Sequence, residues 1–366
     1  MSVPSGRIKR LIELALSSEI QAFAFVPGPN FVYLTGVELH LMERPTVFVI
    51  RTDGAQFAIM PSLEKQKWSQ AMPTTKTFYW TDADGPRAAF SWLADKCGPI
   101  TIGVEGLRMR MMEYYLLNEF WENDKVIDAD SVLSGLRILK DETELHALRQ
   151  AIKISETSLK EVLDATHPGH TELQVKARLQ QAMLSNGAEG FSFDPIVLTG
   201  AGAANPHGTS SGQKIIPGAC LLIDFGASYG GMHADITRTF FCQHLSDENH
   251  KIYDVVRQAN EAAINKVRVG ISVGLVDDVA TSILENSPYA DFILHKTGHG
   301  LGIDIHEAPQ ILRSNKTLMA QGMVFTIEPG LYITGELGVR IEDNVHVGQD
   351  GADCLTSFDK KVQIFG

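Results

Sequence analysis

Two hairpins set acidic residues into strands that are otherwise built for burial. LLIDFGASYGGMHADITRTFF, residues 221–241, reads as two apolar strands around SYGG, a hairpin signal. A two-residue turn at Tyr229–Gly230 would set Ser228 opposite Gly231 and Asp224 opposite Asp235. Directly opposed residues have Cβ atoms roughly 4.5–5.5 Å apart. Two carboxylates that close repel by about 3 kcal/mol at an effective dielectric of about 20. MVFTIEPGLYITGELGVRIEDNVHV, residues 323–347, has a similar design. A turn centred on Gly335 would bring Glu328 and Glu342 into opposition, with a bulge expected where Pro329–Gly330 interrupts the first strand. A lone acid in a strand is usually an edge residue or a turn former. Two hairpins with facing acids strain that plain reading, because like charges so placed are destabilising unless a cation lies between them.

Between the hairpins lies HKTGHGLGIDIHEAP, residues 295–309, with His295, His299 and His306. Glycines at 298, 300 and 302 spoil a helix there. Four carboxylates and one glycine-flanked imidazole form a hard, oxygen-rich ligand set. It suits two divalent ions bridged by shared carboxylates, Mn²⁺, Co²⁺ or Zn²⁺, rather than a closed structural zinc. Water bound between two such cations ionises near neutral pH, which points to hydrolysis.

The rest of the chain is consistent with an enzyme of two domains. Its 366 residues favour two, and 44% hydrophobic with 21% charged residues is ordinary for a globular chain with a sizeable core. A net charge of −12 disfavours nucleic acid and anionic membrane as partners. The four scattered cysteines have no CxxC spacing, which argues against a zinc knuckle or a disulfide scaffold and suits a reducing cytoplasm. The N-terminal stretch, residues 1–20, is not a signal peptide, because Glu13 and Glu19 interrupt any apolar run. No apolar run is long enough to span a bilayer.

Ile8, Leu11, Ile12 and Ala15 predict an opening amphipathic helix. AFAFV, TVFVI, QFAIM, TFYW and TIGVE read as strands, and PRAAFSWLADK and RMRMMEYYLLNEF as helices. This alternation predicts an α/β domain with a mainly parallel sheet, residues 1–132. Asp141 caps a long helix near the start of a second domain, residues 133–366. A further helix runs from Thr171 to a stop at Gly187. Strands and hairpins follow, with helices near 248–267 and 274–287, so this domain is α+β.

These segments resemble the M24 metallopeptidases of the pita-bread fold: prolidase, aminopeptidase P, methionine aminopeptidase and the creatinase relatives. RILKDETELHALRQAI resembles the opening of the family's catalytic domain, and NPHG, LIDFGASYGGMHADITRT, HKTGHGLGIDIHEAP and TIEPGLYITGELGVRIED resemble its active-site segments. The resemblance implies Asp224, Asp235, His299, Glu328 and Glu342 as ligands of two divalent ions, with Mn²⁺ first and Co²⁺ or Zn²⁺ as alternatives. The complete ligand set separates the chain from creatinase-like and chromatin-associated relatives. Methionine aminopeptidases are similar only in the second half.

The same resemblance implies that His207, His295, His306 and Arg340 line the substrate pocket. His207 or His306 would stabilise the oxyanion, and Glu328 would carry the proton to the leaving nitrogen. It implies hydrolysis of the Xaa-Pro bond at the N-terminus of dipeptides or short proline-containing peptides, by a cytoplasmic homodimer. Among the motif residues, Arg340 is the one cation that could hold a dipeptide's carboxylate. Two other classes remain at this point: a related non-peptide hydrolase or lyase acting on a small metabolite, and a non-catalytic peptide-binding module.

Overall fold

The computed structural model describes residues 5–121 and 124–366. Of the N-terminal stretch read as lacking a signal, residues 1–4 lie outside the described residues. The rest of that stretch opens with the expected helix, Ser5–Ala15. The chain divides into two compact units, Met1–Arg137 and Ile138–Gly366.

The first unit is built on six strands: β1 (Ala22–Phe25), β2 (Val47–Arg51), β3 (Gln56–Pro61), β4 (Lys76–Trp80), β5 (Ile102–Val104) and β6 (Val126–Asp128). They lie in the order β4-β3-β2-β1-β5-β6. The sheet is mainly parallel, as expected, with one reversed strand: β2 runs antiparallel to both β1 and β3, while the other three pairs are parallel. The reason is the short link between β2 and β3, residues 52–55, which contains the hairpin dipeptide Asp53–Gly54. A parallel connection needs a crossover of a dozen or more residues. Both faces of the sheet are covered, which explains the unbroken apolar runs. Ala22, Ala24, Val47, Val49, Phe57 and Ile59 form one core with residues of helices Arg87–Cys97 and Met111–Phe120. Phe31, Phe48 and Trp68 pack together, edge-to-face or tilted, in an aromatic cluster.

In the second unit, Asp141 and Glu144 form a capping box on helix Glu142–Asp164. Thr171 and Gln174 do the same for helix Glu172–Ser185. A second helix pair is Asp247–Lys266 and Gly274–Glu285. The strand Cys220–Phe225 shows how the layers assemble. Cys220 and Leu222 join the core of the second helix pair, and Leu221, Ile223 and Phe225 join the core of the first. Side chains alternate across a strand, so the sheet lies between the two helix pairs. This is the pita-bread arrangement, with its strands in a four-stranded, a five-stranded and two smaller sheets.

The first acidic hairpin differs from expectation in register. Ser228 pairs with His233 and Asp224 with Thr237, so the turn is Gly230–Gly231 and Asp224 does not face Asp235. Both turn residues have positive φ, 58° and 76°, which two glycines adopt without strain and Tyr229 would not. The shift is two residues, so Asp235 stays on the face of Asp224 as its diagonal neighbour. In the second hairpin Ile333 pairs with Leu337 and Ile327 with Asp343, as a turn centred on Gly335 requires. The same register holds on both sides of Glu328–Pro329, so the expected bulge is absent there.

Candidate active site

All nine residues singled out in the sequence line one cavity of about 490 Å³ in the second unit: Asp224, Asp235, His299, Glu328, Glu342, His207, His295, His306 and Arg340. Each comes from a different constraint of the fold. The two hairpins are stitched together by Asn344, whose side chain accepts the Asp235 N–H (3.1 Å) and donates to the Asp235 carbonyl (2.5 Å). His299 sits on the short strand Gly298–Gly300. The flanking glycines admit neighbouring strands rather than a ligand. A Cβ on Gly298 would lie 2.1 Å from the Thr326 carbonyl oxygen, and one on Gly300 2.1 Å from that of Ala308. His207 is exposed on a loop whose two ends are held by buried Glu172, which accepts the N–H groups of Thr199 (2.8 Å) and Ser211 (2.7 Å).

Asp235, His299 and Glu342 each offer a ligand atom within 4.8 Å of the others. His299 Nε2 is 3.6 Å from Asp235 Oδ2 and 3.4 Å from Glu328 Oε1. His299 Nδ1 donates to the Gly300 carbonyl (3.1 Å), which can only accept, so Nε2 is the free lone pair facing the carboxylates. Burial, then repulsion from neighbouring carboxylates, pushes Asp235 and Glu342 well above the usual carboxylate range. Burial pushes Glu328 up to about 7, against the pull of Arg340. Burial and the neighbouring His306 push His299 down to about 3. Protein groups alone thus leave this cluster short of positive charge. Asp224 Oδ1 is buried without any hydrogen-bond partner. A bare buried oxygen, grouped carboxylates and a neutral imidazole are the donor set of a divalent metal site.

A hydrogen-bonded chain backs this cluster. His295 Nδ1 donates to the Lys296 carbonyl (2.7 Å), so its Nε2 accepts from the Tyr332 hydroxyl (2.7 Å). Burial holds His295 down at about 4, in the neutral form this pattern needs. Arg340 Nη1 donates to Tyr332 (2.8 Å), Nη2 to Asp224 and Nε to Thr237 (3.0 Å). The Thr237 hydroxyl passes the chain on to Glu342 (2.6 Å). Arg340 therefore lines the cavity with each guanidinium nitrogen already donating to the protein. Tyr332, Thr237 and Asn344 were not foreseen. Thr237 had a signal, since in the correct register it faces Asp224. Tyr332 and Asn344 act across the fold and had none.

Residues 146–349 match metallopeptidase family M24, and residues 7–139 match the creatinase/prolidase N-terminal domain. The chain belongs to family M24. It is 34% identical over 265 residues to the Xaa-Pro dipeptidase of Pyrococcus furiosus, covering 72% of this chain and 75% of that one. Among solved structures, the prolidase from Thermococcus sibiricus superposes with a TM-score of 0.93 at 32% identity, over all of both chains. The X-Pro aminopeptidase of Thermotoga maritima gives 0.82 at 29% identity, over 98% of this chain and 99% of that one. M24 membership makes the chain a peptidase of a metal-using family, and the cavity described above lies within the matched M24 segment.

Proposed function

We propose that this M24 protein hydrolyses the Xaa-Pro bond at the N-terminus of dipeptides and short peptides. The observation that carries the reading is the gathering of five metal-type donors, one of them the bare Asp224 Oδ1, with His207, His295, His306 and Arg340 around one cavity. Relatives named as Xaa-Pro dipeptidase, prolidase and X-Pro aminopeptidase support the choice of bond.

Asp224, Asp235, His299, Glu328 and Glu342 would hold two divalent ions, Mn²⁺ first, which supply Lewis acidity to the scissile carbonyl and acidify water. The remaining chemistry belongs to side chains. Phe193, Ile196, Pro206 and Ile305 give the cavity apolar walls suited to a proline ring. His306 and His207 offer imidazole donors to the developing oxyanion. Glu328, which lines the cavity among the other donors, would take a proton from water and return it to the leaving nitrogen. A prolyl nitrogen is a tertiary amide with no N–H, so it must be protonated to leave and cannot be recognised by its hydrogen. The four free cysteines fit a reducing cytoplasm. Among the described residues no helix is long and apolar enough to cross a membrane. A homodimer is the proposed assembly, checked by light scattering.

The test is a panel of Xaa-Pro, Xaa-Pro-Xaa and Xaa-Ala peptides, assayed with Mn²⁺, Co²⁺ or Zn²⁺ and after chelation. Metal-dependent cleavage of the proline peptides is expected. A preference for Xaa-Ala, or full activity in metal-free protein, would overturn the reading.

A further inference from the structure

We propose that Lys296, not Arg340, captures the free carboxylate of a proline-ended dipeptide and so directs this site toward dipeptides. The inference rests on the Xaa-Pro reading and deepens it.

Two basic side chains line the cavity, Arg340 and Lys296. Arg340 is enclosed, 3% exposed, and its Nε, Nη1 and Nη2 already donate to Thr237, Tyr332 and Asp224. Turning its fork onto a ligand would strip hydrogen bonds from groups that are themselves buried. Lys296 is in the opposite situation. Its side chain is exposed at the cavity, and among the described residues its Nζ has no ion-pair or hydrogen-bond partner. Its root is nevertheless fixed on both sides. The Lys296 carbonyl accepts from His295 Nδ1 (2.7 Å), and the next N–H, of Thr297, donates to buried Asp277 (2.9 Å). A rigid root with a free charge is the arrangement of a ligand anchor. Its charge is also felt inside the site, where it lowers the proton affinity of His306, His299 and Glu328.

The substrate geometry matches. In an Xaa-Pro dipeptide the carboxylate sits on the Cα that bears the scissile nitrogen, so it lies within the catalytic cavity. In a longer peptide that position is a neutral amide, and the terminal charge moves out by about 3.5 Å per residue. Lysine offers a mobile point charge rather than a bidentate fork, so the preference is graded.

The experiment compares an Xaa-Pro dipeptide with its C-terminal amide, which removes the charge and keeps the size. In the metal-loaded wild type the amide should show a KM about 10–100-fold higher, the worth of one charge-assisted hydrogen bond. Lys296→Met should collapse that ratio to about one, and Lys296→Arg should restore most of it. The same acid-over-amide ratio is expected in Kd by calorimetry on chelated protein, where no peptide is consumed. A merely structural role would raise both KM values and keep the ratio, which overturns the proposal, as does a wild-type ratio near one. Wild type that cleaves neither peptide with any metal sinks the Xaa-Pro reading instead, and this inference with it.

Discussion

Asp224 presents its two oxygens to two different environments. Oδ2 accepts from Arg340, whereas Oδ1 is buried and bare. Leaving such an oxygen unpaired costs on the order of 1–3 kcal/mol, and a cation is the partner this donor set favours. Arg340 fixes the carboxylate and is fixed in turn by Tyr332 and Thr237. Arg340→Met should therefore weaken metal binding about 10–100-fold, the usual effect of losing an outer hydrogen bond to a ligand. Titrating Mn²⁺ into chelator-stripped protein measures this, and unchanged affinity would remove Arg340 from the site's support. The two histidines should separate cleanly. The His299 ring meets the carboxylates, whereas His306 stacks edge-on against it, with ring centroids 4.2 Å apart. His299→Ala should lose both metal and turnover, and His306→Ala turnover far more than metal. Equal metal loss in the two variants would refute that division.

At the level of elements, what could be read from the sequence was what depends on local chemistry. The helix starts at Asp141 and Thr171 and the turn at Gly335 follow from residues a few positions apart. The first hairpin's register is ambiguous in sequence because SYGG offers two turn positions, and only Gly230–Gly231 lets both residues take positive φ. The acids still ended on one face because a shift of two preserves the pleat. Helices Pro29–Thr35 and Lys65–Ala71 are too short to show a period, and β2's reversal needed its link to be read as a hairpin. Contacts across the fold, such as Asn344 on Asp235, leave no local trace. The glycines beside His299 give a test at this scale. Gly298→Ala drives a methyl into the Thr326 carbonyl, so it should displace the strand and abolish metal binding. Gly231→Ala meets no atom within 4 Å and should cost only the about 1–2 kcal/mol of a left-handed backbone. Metal content and melting temperature of the two variants distinguish these effects. Full metal binding by Gly298→Ala would contradict the close packing.

At the scale of the whole molecule, pH should act with opposite signs according to metal. Without metal, the raised affinities of Asp235, Glu342 and Glu328 mean that the folded state holds protons the unfolded chain releases. Their contribution is complete below the ordinary carboxylate range and falls as pH rises toward about 7 for Glu328. With metal bound the same carboxylates must be ionised, so their affinities drop below the unfolded values. Stability from metal is then present at neutral pH and lost on acidification. Melting curves in chelator and in saturating Mn²⁺ should diverge as pH rises from about 4.5 to 7, and parallel curves would argue against a carboxylate site. Glu105, in the first unit, supplies a metal-independent comparison. Burial pushes it up to about 7, although it accepts from the Val26 N–H and the Asn30 amide. Against an ordinary glutamate near 4.5, that shift corresponds to about 3 kcal/mol lost between those two pH values. All four tryptophans, Trp68, Trp80, Trp92 and Trp121, lie in this unit, so their fluorescence reports its unfolding. Glu105→Gln should flatten the fall in the fluorescence-monitored stability across that window. An unaltered slope would mean that Glu105 is not the group responsible.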